Sequence, residues 1–316
     1  MANSNTKTLI VSIGAYALII FFLYSCASTP SQLLSEGLSF HGQGQYDKAI
    51  AKYKEVIKDA PTLHTPDSDN RSVMGLLALS YANNTEADQA IKVAKQALEK
   101  DPNDWVALAA LGIAQIFRRD FENAKQNLMH SISAKPGAWH AYIWLASIYL
   151  IEKNMEKAES TLEKSLDIYP KNPVARSRIA IIECMKGNQG AAIQEFKQTI
   201  YDMQILDVLA MSRYENYVED LYLSLNSIFR GDIEIATLQL QKYVKKKPNK
   251  GANFLFGVIY SLKRDRKLAI EYFKKETEDK GPFCFLSNIE LSALYAYDAD
   301  ITGFFKAESS IPRCFK

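Results

Sequence analysis

Residues 105–138 read WVALAALGIAQIFRRDFENAKQNLMHSISAKPGA, and residues 139–172 read WHAYIWLASIYLIEKNMEKAESTLEKSLDIYPKN. The blocks are each 34 residues long, and superposing them puts Leu111 over Leu145, Gly112 over Ala146, Ala124 over Ala158 and Pro136 over Pro170. The step continues outward in both directions. Alanines recur at Ala90, Ala124, Ala158 and Ala192, and prolines at Pro102, Pro136 and Pro170. Apolar Leu77, Leu111, Leu145 and Ile179 form a third column, and small Ala78, Gly112, Ala146 and Ala180 a fourth. Registered columns at one period mark a stacked-repeat architecture.

The columns have a direct physical reading. A small residue at Gly112 or Ala146 lets the first helix of a unit approach its neighbour closely. An alanine at Ala124 or Ala158 does the same for the second helix, and Leu128, Leu162 and Phe196 fill the remaining space. Proline after the second helix stops it and sends the chain into the next unit. Arg118-Arg119-Asp120, Lys153-Asn154 and Lys186-Gly187-Asn188 read as the turns between paired helices.

On these residues the chain resembles the tetratricopeptide repeat (TPR) family, whose unit is a 34-residue helix–turn–helix. The resemblance implies an all-α fold, a TPR α-solenoid of about seven repeats over residues 31–281. The first unit spans Ser31–Pro61, units two to five Arg71–Gln204, the degenerate sixth roughly Tyr217–Pro248, and the seventh Gly251–Gly281. Extra residues fall near 62–70 and around 201–217. Residues 282–316 are read as a C-terminal cap, one apolar helix near Phe285–Tyr297 and a short tail.

The N-terminus has its own logic. One lysine, Lys7, precedes the apolar run 8–24, and Cys26 follows directly in an uncharged stretch. That order is that of a secretory signal. The segment 1–25 resembles a bacterial lipoprotein signal peptide, with Cys26 lipidated and 26–30 a short tether; the alternative is an uncleaved membrane anchor. No Lys or Arg follows until Lys48, so both readings place the repeats away from the cytoplasm, facing the periplasm. Alanine at Ala27 favours the outer membrane for a protein of that kind.

Nothing in the sequence reads as an enzyme. The four histidines have no metal-type or nucleophile-type neighbours at helical spacing, and no cofactor or metal is expected. A net charge of +2 gives no global argument for nucleic acid. The partners expected are envelope proteins, with the membrane reached through the N-terminal lipid or helix.

The TPR resemblance places the partner groove on the first helix of each unit. Carried onto this chain it comprises Ile113 and Phe117, then His140, Ile143, Trp144 and Ser147, then Arg178, Ile181 and Met185. This mainly apolar lining suits an amphipathic helix or extended apolar peptide better than a carboxylate clamp. Alternatively the superhelix is tight and these residues touch one another. A second candidate is a basic patch, Lys245, Lys246, Lys247, Lys263 and Arg264, within residues 241–280, which carry twelve bases against five acids. It reads either as a site for an acidic protein or anionic envelope ligand, or as a solvated helix face. Cys284 and Cys314 flank the cap and could close it with a disulfide, while Cys184 reads as a buried thiol.

Overall fold

The computed structural model describes residues 28–67, 69–204, 218–246, 251–310 and 314. The candidate anchor with Cys26, residues 205–217 of the second insertion and Lys247 lie outside these residues, as does the side chain of Lys246. Sixteen helices occur among the described residues, joined as hairpins. They are α1 (Pro30–Gly42) with α2 (Tyr46–Asp59), α3 (Val73–Asn83) with α4 (Ala87–Lys100), and α5 (Trp105–Phe117) with α6 (Phe121–Ala134). Next come α7 (Trp139–Ile151) with α8 (Met155–Ile168), and α9 (Pro173–Lys186) with α10 (Gln189–Asp202). The remaining hairpins are α11 (Val218–Arg230) with α12 (Ile233–Lys246), α13 (Ala252–Leu262) with α14 (Arg266–Glu278), and α15 (Cys284–Tyr297) with α16 (Ile301–Ser310). The fold is an all-α solenoid.

The two helices of a pair differ in what they bury. In α4 only one stripe is covered, Ala87, Ala90, Val93, Ala94 and Ala97. By contrast α5 is buried from Val106 to Ala114 without a break. A one-stripe helix faces water on its far side, and a helix apolar all round sits between layers. Second helices therefore form the outer surface, and first helices the inner layer. The small column does the work assigned to it: a Cβ on Gly112 would lie 2.7 Å from Leu128 Cγ, and one on Gly37 would lie 2.5 Å from the Tyr53 ring.

Neighbouring units are joined at their helix starts. Asp104 caps α5, accepting from the backbone N–H groups of Val106 and Ala107 at 3.1 Å each. The Ser72 hydroxyl, which caps α3 by accepting from Gly75 N–H at 2.8 Å, donates to the Asp104 carboxylate. The residues near 62–70 form a small loop closed by an antiparallel bridge between His64 and Ser72. Arg71 pairs with Asp67 there at 2.6 Å, and Trp105 Nε1–H donates to Asp69 O at 3.3 Å.

A further 34-residue column is conformational. Thr85, Arg119, Lys153 and Gly187 all sit in the left-handed region, with φ of 65°, 61°, 60° and 89°. Only glycine adopts that conformation without cost, and a β-branched residue suffers most. Thr85 is exposed. Thr85→Gly is therefore expected to raise stability by about 1 kcal/mol, read as an upward shift of the thermal midpoint. A lower midpoint would show that the threonine is not strained there.

The C-terminal reading needs correction. Residues 301–310, taken as a tail, form a second helix, so the cap is a hairpin and not a single helix. Nor does α15 present a polar outer face: it is buried almost throughout, from Leu286 to Leu294 without interruption. The pair folds back into the inside of the solenoid, where α15 packs on α7, α9, α13 and α14, and α16 reaches α3 and α5.

Candidate functional site: the concave face

The first helices α5, α7 and α9 supply the inner wall, and the C-terminal hairpin fills its middle. Phe305 meets Phe117 edge to face with ring centroids 5.1 Å apart. Trp144 packs on both neighbours, 5.6 Å from Phe304 and 5.9 Å from Phe305. Aromatic pairs in these arrangements contribute beyond the area they bury.

Polar contacts fix the hairpin's position. Arg178 is 1% exposed. It donates to Ser147 Oγ at 2.8 Å and Ile143 O at 3.2 Å on α7, to Ser292 Oγ at 3.1 Å on α15, and forms an ion pair with Glu308 on α16. One guanidinium thus joins four helices. Beside it the Ser177 hydroxyl donates to the Glu290 carboxyl, which is fully buried. Burial pushes that carboxyl up to about 8, against the opposing pull of the Ser177 hydrogen bond and Arg178.

This arrangement corrects the expectation of an open apolar groove. Of its nine residues, Ile113, Ile143, Ser147, Arg178 and Ile181 are buried. Trp144 and Met185 are half-buried, while Phe117 and His140 keep solvent contact. The physical cause is the hairpin, which supplies the apolar partner that such a strip requires. Neither sequence alternative describes this fully: Arg178 touches Ser147 and Ile143 within the strip, but most of the strip is covered by a segment far along the chain.

Clefts remain open beside the hairpin, and two of them adjoin the sequence candidates. A cleft of ≈ 180 Å³ lies between Tyr46, Asn83, His140 and Trp144 and the outer side of α16, at Phe305 and Ser309. A larger one, ≈ 520 Å³, lies between α9, α15 and the α13–α14 turn. Its floor is buried Ile181, Cys184 and Leu294 with half-buried Met185; its rim is exposed Lys263, Arg264, Arg266 and Lys267. The structure therefore brings two sequence candidates together, the end of the groove and part of the basic patch. Lys245, exposed at the end of α12, is not among the cleft's lining residues.

The rim cations differ in how they are held. Lys263 pairs with exposed Glu234 at 2.8 Å, and Arg266 lies 3.5 Å from Asp298 and over the Tyr297 ring. Arg264 and Lys267 have no ion-pair partner among the described residues. On the floor, burial pushes the Cys184 thiol well above its usual range, reinforced by Glu290 and Glu183, so it stays a neutral apolar group. Cys284 and Cys314 are joined by a disulfide that closes the α15–α16 hairpin.

Two of the four histidines pack against neighbouring groups. Burial, assisted by the Arg71 cation, lowers His41 to about 4, and its ring bonds Ser80 at 2.8 Å. His140 stacks on Trp139. Among the described residues no group of three or more His, Cys, Asp or Glu side chains could hold a metal ion, and no helix is long and apolar enough to cross a membrane.

A family model described as tetratricopeptide repeat matches residues 40–116, and a second one with the same description matches residues 140–172. The matches fall on the helix pairs that carry the 34-residue columns. Residues 40–116 and 140–172 are tetratricopeptide repeats. Among similar proteins is the BBSome complex member BBS4 of Bos taurus, 22% identical over 166 residues, covering 52% of this chain and 31% of that protein. Another is the photosystem I assembly protein Ycf3 of Synechococcus sp. (strain CC9605), 31% identical over 78 residues, covering 25% of this chain and 43% of that protein. The chain thus spans less than half the length of these curated relatives. A solved TPR protein from Parabacteroides merdae is similar at 17% identity and a TM-score of 0.44, covering 83% of this chain and 97% of its own. TPR arrays bind protein partners, and this chain carries such an array.

Proposed function

We propose that this TPR protein is an adaptor tethered to a membrane of the cell envelope, facing the periplasm, which holds protein partners at the basic-rimmed end of its concave face. The observation carrying the partner site is the ≈ 520 Å³ cleft, with an apolar floor at Ile181 and Met185 beneath Arg264 and Lys267, which have no ion-pair partner among the described residues. Its chemistry suits a partner segment that sets an apolar side chain beside carboxylates. Two similar proteins are by name a complex member and an assembly protein, which supports the adaptor reading. The tether rests on Lys7, the apolar run 8–24 and Cys26, in the order of a lipoprotein signal or a membrane anchor.

The partner site is tested by charge reversal. A Lys263→Glu/Arg264→Glu/Lys267→Glu variant is expected to melt like the wild type and to lose about tenfold or more in affinity for partners captured from envelope extracts. Met185→Ala should weaken capture by a smaller factor. Unchanged capture by the folded triple variant would remove the cleft as the main site. Loss of affinity only for anionic wall polymer or lipid vesicles would turn the reading toward a carrier of anionic envelope ligands. The tether is tested by intact mass and membrane fractionation beside Cys26→Ser. A mature chain starting at modified Cys26 supports the lipoprotein; an unprocessed chain indifferent to the substitution supports the anchor.

A further inference from the structure

We propose that the Cys284–Cys314 disulfide is a thiol-exchange site, at which a small anionic thiol is captured covalently on Cys314. The bond stands in a third cleft, of ≈ 380 Å³, formed by α14, the turn after it, α15 and α16. None of the wall helices α5, α7 and α9 lines it. The inference goes beyond the proposed function and rests on neither the basic-rimmed cleft nor the tether.

The charge of the ligand is read from the lining. Lys274, Lys280 and Lys306 line the cleft and are exposed, and none has an ion-pair partner among the described residues. Lys274 lies over the Tyr295 ring, 5.5 Å from its centroid. Glu278 is the only acid on the lining, and Asp300, near Lys274, is engaged in capping α16. Three ammonium groups facing one space raise the local concentration of an anion there. The volume suits a molecule of small-peptide size and not a folded partner.

The two sulfurs are unequal. Cys284 is 7% exposed while Cys314 is half-buried, so an incoming thiolate reaches Cys314 Sγ first and Cys284 is the leaving sulfur. Cys284 is the first residue of α15, where the helix dipole stabilises a thiolate. The amide Nδ2 of buried Asn288 lies 3.2 Å from Cys314 Sγ and 3.7 Å from Cys284 Sγ, so a donor stands beside both sulfurs. Glu276, which accepts from the adjacent Phe283 N–H, is pushed up to about 7 by burial and opposes the Cys284 thiolate only as it ionises. The step balances without an oxidant or reductant. The thiolate sulfur bonds to Cys314 Sγ as the Cys284–Cys314 bond breaks, and the electron pair leaves on Cys284 Sγ, which water protonates. Return attack by Cys284 on the adduct expels the small thiol and restores the original bond. While the adduct lasts, the α15–α16 hairpin is joined only by its turn and its packing. The free thiol of Cys184 is buried and takes no part.

The test uses the full oxidised chain, with adduct formation followed by intact mass and located by peptide mapping after free thiols are blocked. The probes are glutathione, 2-mercaptoethanol and cysteamine, which are anionic, neutral and cationic, and each rate is divided by the thiolate concentration. Glutathione should react about tenfold faster than cysteamine, and that preference should shrink at about 1 M salt. The adduct should sit on Cys314, with Cys284 recovered as the blocked thiol. A Lys274→Glu/Lys280→Glu/Lys306→Glu variant, altered only at exposed positions, should react faster with cysteamine. The proposal is overturned if adducts form only once denaturant unfolds the chain, if they sit on Cys284, or if the three thiols react with wild type at equal rates. A glutathione preference that survives in the folded triple variant would also overturn it. These results do not bear on charge reversal at Lys263, Arg264 and Lys267, so either site can fail while the other stands.

Discussion

Arg178→Leu is expected to destabilise the C-terminal half of the solenoid by about 3 to 5 kcal/mol, the range for breaking a buried ion pair from one side. The leucine fills only the inner part of the space and strips donors from Glu308, Ser292 and Ser147 at once. Glu308 is 14% exposed in its side chain, so water replaces only part of what it loses. Repeat arrays lose structure unit by unit, so the damage should be local. Hydrogen exchange should rise first in α16, then in α15, with α3 to α6 close to wild type. Arg178→Lys should recover part of the loss, since an ammonium keeps the charge but not the planar fork that reaches α7 and the hairpin together. Arg178→Leu/Glu308→Leu should recover more, because no carboxylate is then left unpaired. A single leucine variant that melts like the wild type would mean that the four-helix junction contributes nothing measurable.

The repeats were legible because their contacts are local. Ala124, Leu128 and Gly112 meet within one unit, and each column recurs at 34 residues, so periodicity alone reports the packing. The fate of the concave face was not legible, for the opposite reason. Ser177 meets Glu290 at a separation of 113 residues and Arg178 meets Glu308 at 130, and no period connects such positions. Some warning was present. CFLSNIELSALYAY at 284–297 has apolar residues on all sides and no single polar face, the pattern of an enclosed helix and not of an end cap. Asp300 before Ile301, Phe304 and Phe305 is an N-cap ahead of an apolar stripe, and its carboxylate accepts from Gly303 N–H at 2.9 Å. The left-handed column stayed hidden because only Gly187 of its four residues carries the usual sign.

Stability should fall as pH rises from about 6.5 to about 8, and two buried glutamates are responsible; below 6.5 their effect is opposed by His41, which stays neutral in the fold down to about 4 but charges in the unfolded chain. Burial raises Glu290 from 4.5 to about 8 and Glu276 from 4.5 to about 7. Glu276 is fully buried at the end of α14, where its Oε1 accepts from Phe283 N–H at 3.0 Å. Each folded carboxyl binds its proton more tightly than the unfolded one does. Their contribution is therefore complete below the unfolded value of 4.5 and is lost as pH climbs to about 7 for Glu276 and about 8 for Glu290. The loss is on the order of 3 to 5 kcal/mol per group, a large share of ordinary domain stability. Asp67, held below its usual range by the Thr65 hydrogen bond and then by Arg71, titrates in the acid and leaves this window unaffected. Glu290→Gln removes one of the two titrations while keeping an oxygen to accept from Ser177. Its thermal midpoint should drop less between about pH 6.5 and 8 than that of wild type, and should exceed wild type at the alkaline end. Equal pH profiles for the two proteins would mean that Glu290 is hydrated in solution, and that the α9–α15 contact is more open than the structure shows. The same measurement bears on the hairpin: if Glu290 governs the profile, α15 and α16 should be the elements whose amides exchange faster as pH rises, once the intrinsic rate is divided out.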